Sequence, residues 1–115
     1  LPHLKGKIDG FAVRVPTPNV SLVDFVGVVQ KKATKDAVND GFKKAASGAL
    51  KGVLGVETAP LVSTDYNGST CSSTIDLELT NVVGENLVKV ISWYDNESGF
   101  SKRMLDLTLH MAQTG

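Results

Sequence analysis

KVISWYDNESGFS, from Lys89 to Ser101, is the stretch whose reading decides the fold. Leu87, Lys89, Ile91 and Trp93 face one way and Val88, Val90, Ser92 and Tyr94 the other, the period of two that marks a strand. Asp95, Asn96, Ser98 and Gly99 end that strand. Beyond them Met104, Leu107 and Met111 recur at helical spacing, with Leu105, Thr108 and Ala112 beside them. A strand aimed into a polar turn that opens a helix leaves side chains exposed on a rigid base, so binding groups concentrate at such junctions. Asn96 and Glu97 stand at this one. On pattern alone it is equally an ordinary strand, turn and terminal helix.

Working outward, Ile8 to Val15 alternates Phe11, Val13 and Val15 against Ala12 and Arg14, which predicts a half-buried strand. Pro16 and Pro18 remove backbone donors and end it, and Asn19 suits a turn. Ser21 to Gln30 predicts a second strand with Leu22, Asp24, Val26 and Val28 on one face, paired antiparallel with the first. From Lys31 to Gly48 the period lengthens. Val38, Phe42, Ala45 and Ala49 form the stripe of an amphipathic helix, with Thr34 as its N-cap, Gly48 as its stop and its lysines in solvent. Val53 to Val56 and Pro60 to Tyr66 are expected to be extended, Asn67-Gly68 a turn, and Ile75 to Thr80 a strand with a polar outer face. Gly84-Glu85-Asn86 makes a short antiparallel connection into the strand of the opening stretch. The last helix is expected from about Ser101. Strands interrupted by only two helices predict an α+β fold, an antiparallel or mixed sheet with helices on one face. A doubly wound fold needs a helix after nearly every strand.

A chain of 115 residues is at most one domain, and its 42% hydrophobic and 21% charged residues are ordinary for a globular protein. Twelve basic and twelve acidic residues cancel, which argues against nucleic acid or an anionic membrane as the main partner. No apolar run is long enough to span a bilayer. Without an initiator Met, the chain is expected to be a piece of a longer protein. Cys71, the single cysteine, has no internal disulfide partner and fits a reducing, cytoplasmic setting.

Arg14 presents a planar fork of donors suited to a phosphate, beside two prolines that hold the following backbone still. Unaided, a surface arginine more commonly sits in a salt bridge. Asn96 offers amide donors and an acceptor that match another primary amide, although a turn asparagine is commonly only a turn residue. Cys71 lies in STCSS, and His3 and His110 lie near opposite ends of the chain. None is assigned a catalytic role. No zinc-ligand spacing or phosphate-cradling GxGxxG is present.

Four segments in order carry a resemblance. WYDNESGFS (Trp93 to Ser101), LPHLKGK with DGFAVRVPTPNVS (Leu1 to Lys7, Asp9 to Ser21), LKGVLG (Leu50 to Gly55) and PLVSTDYNG (Pro60 to Gly68) resemble the phosphorylating glyceraldehyde-3-phosphate dehydrogenases. The similarity covers the whole chain and places it in the distal part of that family's catalytic domain. It implies a nucleotide-binding Rossmann domain ahead of Leu1, together with the catalytic cysteine and histidine that this chain lacks. In the family the thiolate attacks the aldehyde, hydride passes to NAD or NADP, and inorganic phosphate releases an acyl phosphate. The resemblance implies that Arg14 binds the phosphate of glyceraldehyde 3-phosphate and that Asn96 orients the nicotinamide, with Glu97 in support. It also implies a homotetramer, a last helix packed on the nucleotide-binding domain, no metal, and an inactive, aggregation-prone chain when isolated. Ser98 stands where many members have Trp, and Phe100 where many have Tyr, so the aromatic face survives and a phenolic hydrogen bond is lost. Two alternatives stay open: erythrose-4-phosphate dehydrogenase activity, and a non-catalytic assembly or binding module.

Overall fold

The computed structural model describes residues 1–114 of the chain. Four strands, β1 (Ser21–Val28), β2 (Leu54–Glu57), β3 (Ser73–Val83) and β4 (Leu87–Tyr94), form one sheet in the order β1-β4-β3-β2. β1 and β3 flank β4 antiparallel and β2 runs parallel to β3, so the sheet is mixed. Helix α1 (Lys35–Ser47) lies in the crossover from β1 to β2, and α2 (Ser98–Thr114) leaves the end of β4. The fold is α+β, as the sequence predicts.

α1 covers one face of the sheet. Val38 and Phe42 from its apolar stripe pack, with Leu54 and Val56 of β2, on buried Ile75, Leu77, Val88 and Val90. Burying a side chain of this kind is worth about 1.5–3 kcal/mol, so this small cluster holds helix to sheet. Thr34 caps α1 by accepting from Ala37 N at 3.2 Å, which satisfies an otherwise orphaned donor.

The β3–β4 hairpin turns through Gly84 and Glu85, both in the left-handed region (φ +58° and +70°). Its tip holds the entry to α1, accepting from Val29 N and Ala33 N through the carbonyls of Asn86 and Glu85. Further along, Leu77 to Thr80 stand opposite Val90 alone, because the register jumps from Asp76↔Ile91 to Asn81↔Lys89. Carbonyls freed by this bulge are met from α1, by Asn39 Nδ2 at Leu77 O (2.9 Å) and Lys35 Nζ at Glu78 O (2.7 Å). Lys35 makes this bond from a side chain still 43% exposed, so the lysines of α1 keep to solvent as expected.

Several expectations are corrected. Ile8 to Val15 is not a strand: among the described residues nothing pairs with it, and Phe11 is 93% exposed. Alternation sets which residues share a face but supplies no neighbour, and β1 takes β4 as its partner instead. Pro60 to Tyr66 is not extended throughout, since Ser63–Tyr66 forms a turn of 3-10 helix. Asp65 accepts from Val62 N at 2.8 Å and closes that turn, and Tyr66 stacks on Trp93. The face of β3 expected to be polar and outward carries buried Asp76 and Thr80. α2 begins at Ser98, three residues before the expected start.

Candidate functional site

Where β4 ends, Asp95 is 2% exposed and its carboxylate accepts four hydrogen bonds. Oδ1 takes Glu97 N and Ser98 N, both at 2.9 Å, capping the first turn of α2. Oδ2 takes Gly68 N at 2.9 Å and Asn19 Nδ2 at 3.0 Å. Donors at that density stabilise the anion, and the backbone N–H of Ser98 foremost, then those of Gly68 and Glu97, hold this carboxyl far below its ordinary range. One buried carboxylate thus ties together the start of β1, the Asn67-Gly68 turn and the N-terminus of α2. Its neighbour Asn96 is left exposed, and Asn96 makes no side-chain hydrogen bond among the described residues.

Gly68 supplies the turn that brings its N–H to Asp95, with φ at +81°. At Gly99 the requirement is space, because a Cβ there would lie 2.8 Å from Cys71 O. Beneath the junction Tyr66 and Trp93 stack with ring centroids 5.5 Å apart and planes 13° from parallel. Burial, and to a lesser degree the nearby charges of Asp76, Glu57 and Asp65, pushes the Tyr66 phenol up.

Arg14 reaches the same place from the other side. The segment from Val13 to Ser21 borders a cavity of about 320 Å³ whose remaining wall is Tyr94 and Asn96. Within it Thr17 N donates to Val15 O at 2.8 Å, a tight turn centred on Pro16. Val20, buried at the entry to β1, sits at φ +72°, which costs a β-branched residue roughly 1–3 kcal/mol. The Arg14 guanidinium is exposed and forms no ion pair or side-chain hydrogen bond among the described residues. The salt bridge that is the commoner use of a surface arginine is absent here.

A second cavity of about 300 Å³ adjoins the first through Tyr94 and Asn96, and is completed by Ser72, Asp95, Gly99, Phe100 and Arg103. Asn96 therefore borders both spaces, with its amide free for a ligand in either. An uncommitted guanidinium and an uncommitted amide on one cavity suit a phosphorylated molecule at one end and a carboxamide at the other.

The two residues singled out by sequence, Arg14 and Asn96, are thus brought to one cavity. Glu97 contributes its backbone N–H to Asp95, and its side chain lines neither space. Cys71 is half-buried behind Gly99, and Cys71, His3 and His110 border neither cavity. No group of three His, Cys, Asp or Glu side chains is placed to hold a metal ion among the described residues. Sequence reasoning missed Asp95, although an Asp just ahead of a helical pattern is an N-cap signal. It gave Asn19 only a turn.

Residues 1–96 match the family described as "Glyceraldehyde 3-phosphate dehydrogenase, C-terminal domain". The chain is 58% identical over its whole length to glyceraldehyde-3-phosphate dehydrogenase 1 of Bacillus cereus and 56% identical to glyceraldehyde-3-phosphate dehydrogenase of Geobacillus stearothermophilus, covering 34% of each. It is 55% identical over 107 residues, 93% of this chain and 29% of the relative, to chloroplastic glyceraldehyde-3-phosphate dehydrogenase A of Chlamydomonas reinhardtii. The chain spans about a third of the length of the curated relatives it matches most fully. With a family match over most of its residues and an α+β sheet to carry it, the chain belongs to the glyceraldehyde 3-phosphate dehydrogenase C-terminal domain family.

Proposed function

We propose that this chain is the distal part of the catalytic domain of a phosphorylating glyceraldehyde-3-phosphate dehydrogenase, acting in glycolysis in the cytoplasm. The observation that carries this reading is the shared cavity of Arg14 and Asn96, in a chain whose relatives bear that enzyme's name. Arg14 takes the phosphate of glyceraldehyde 3-phosphate, its fork of donors matching two phosphate oxygens. Asn96 would hold the nicotinamide through its carboxamide. The residues present fit such a cofactor, since Asn96 is exposed, spends no side-chain hydrogen bond inside the chain and stands where two cavities meet. When bound, NAD or NADP supplies the hydride acceptor. This chain contributes binding and orientation: it lowers the entropic cost of bringing aldehyde and acceptor together. The attacking thiolate and its histidine belong to the rest of the full-length protein, as does the Rossmann domain, so the 115 residues alone are inactive.

Phosphate-dependent reduction of NAD or NADP by the full-length protein, with glyceraldehyde 3-phosphate and erythrose 4-phosphate compared, tests this. Turnover of the triose phosphate, with KM raised in Arg14→Leu, is the expected result. A clear preference for the tetrose phosphate, or no phosphorylating activity, overturns it. Assembly is a second role of the same chain, favoured by the apolar side chains left on the outer face of β1: Leu22, Val26 and Val28 are each about half exposed or more. A homotetramer of the full-length protein is the form expected from sedimentation.

A further inference from the structure

Residues 8–19 run outside the sheet, and among the described residues the only hydrogen bonds that join them to the rest of the chain pass through Asn19. Both hydrogens of its side-chain amide are engaged, one on Asp95 Oδ2 and one on Asn67 Oδ1, each at 3.0 Å. With its donors committed, Asn19 has none to offer a ligand, although it borders the cavity. Its place in the chain is what matters. Asp95 is the residue next to Asn96, and Asn19 is joined to Arg14 by a short arm stiffened by Pro16 and Pro18. The Asn19–Asp95 bond therefore links the neighbour of Asn96 to the far end of the five-residue arm that carries Arg14.

We propose that Asn19, held by Asp95 and Asn67, is a positioning residue that sets where the Arg14 guanidinium stands relative to Asn96. This rests on the assignment of Arg14 to the substrate phosphate. Without the brace the arm can swing about the strained backbone at Val20, and Arg14 leaves the place from which it meets the phosphate. The loss falls on substrate capture, because Asn19 touches no reacting atom. It enters through Arg14, so it disappears when Arg14 is gone.

The experiment is steady-state kinetics of the full-length dehydrogenase carrying Asn19→Ala, Arg14→Leu and the two together, with glyceraldehyde 3-phosphate varied. Asn19→Ala is expected to raise KM for the triose phosphate roughly ten-fold, the scale of a misplaced binding group, with kcat nearly unchanged. In the Arg14→Leu background it is expected to add nothing. A purely structural role would lower the amount of active enzyme and leave KM alone. An unchanged KM in Asn19→Ala, beside a raised KM in Arg14→Leu, overturns the brace and leaves the Arg14 assignment standing. Additive effects in the double variant overturn it as well, since they place Asn19 on the substrate itself. An unchanged KM in Arg14→Leu overturns the assignment and the brace together. Asn67→Ala, on an exposed turn, repeats the test should Asn19→Ala fail to fold. A smaller rise in KM is expected from it, and no rise overturns the proposal.

Discussion

The side-chain amide of Asn39, buried in the middle of α1, donates to the main-chain carbonyl of Leu77 at 2.9 Å, at the point where β3 bulges away from β4. A carbonyl released from a ladder and closed off from water needs a donor, and the helix supplies one across the core. Asn39→Ala leaves that carbonyl unpaired and is expected to cost about 1–3 kcal/mol. Asn39→Leu adds apolar volume at the same position without restoring the donor, and is expected to be no better. Urea midpoints of the two variants check this, and a loss below half a kcal/mol in both would show that water reaches Leu77 O.

Asp95 makes stability depend on pH in a defined direction. Its folded carboxyl lies below the ordinary value of 3.8, so on acidification the unfolded chain takes up the proton first. The contribution is complete above that value, shrinks as pH falls below it, and vanishes once the folded carboxylate is itself protonated. Asp95→Asn is expected to be less stable at neutral pH, with the gap to the parent chain narrowing as pH drops below about 4. Denaturation at a series of pH values checks the sign, and a gap that widens toward acid contradicts it.

Glu85 occupies a left-handed conformation at φ +70° in the tip of the β3–β4 hairpin, with its side chain exposed. Its ion pair with Lys32 is exposed on both sides and offsets little. Glu85→Asn keeps a side chain and tolerates this conformation better, so a gain of roughly 0.5–1 kcal/mol is expected. Thermal unfolding measures it.

Along α2, Met104, Leu105, Leu107, Leu109 and Met111 are each more than half exposed. Leu107→Ala in the isolated chain is expected to change stability by less than about 0.5 kcal/mol, against 2–5 kcal/mol for Leu77→Ala in the core. In the full-length protein Leu107→Ala is expected to cost considerably more. Equal losses from Leu107→Ala in the two contexts would mean that α2 gains no partner there.

What was legible in the sequence was what is local. β4 and the stripe of Val38, Phe42 and Ala45 on α1 are read correctly because a period of two or of nearly four is written in consecutive residues, whereas Ala49 falls beyond the helix and is exposed, and Thr34 caps from its own position. Ile8 to Val15 shows that a period alone does not make a strand, since Phe11 and Val13 alternate without a neighbour to bond. Arg14 and Asn96 were reachable because their segments resemble a known family. Asp95 and Asn19 were not, because their meaning lies in donors gathered from three distant parts of the chain.

The strand order gives the site a history as well as a shape. β3 and β4 meet through a three-residue turn, whereas β1 must find β4 across the 58 residues between Val28 and Leu87, a loop whose closure has to be met before its bonds return anything. The hairpin is thus expected to gain hydrogen-exchange protection first and β1 later, and simultaneous protection would refute that order. Asn19 stands at the threshold of β1, so Arg14 reaches Asn96 only as the last strand docks. The cavity that Arg14 and Asn96 share is therefore expected to form last, and a half-folded chain to lack it.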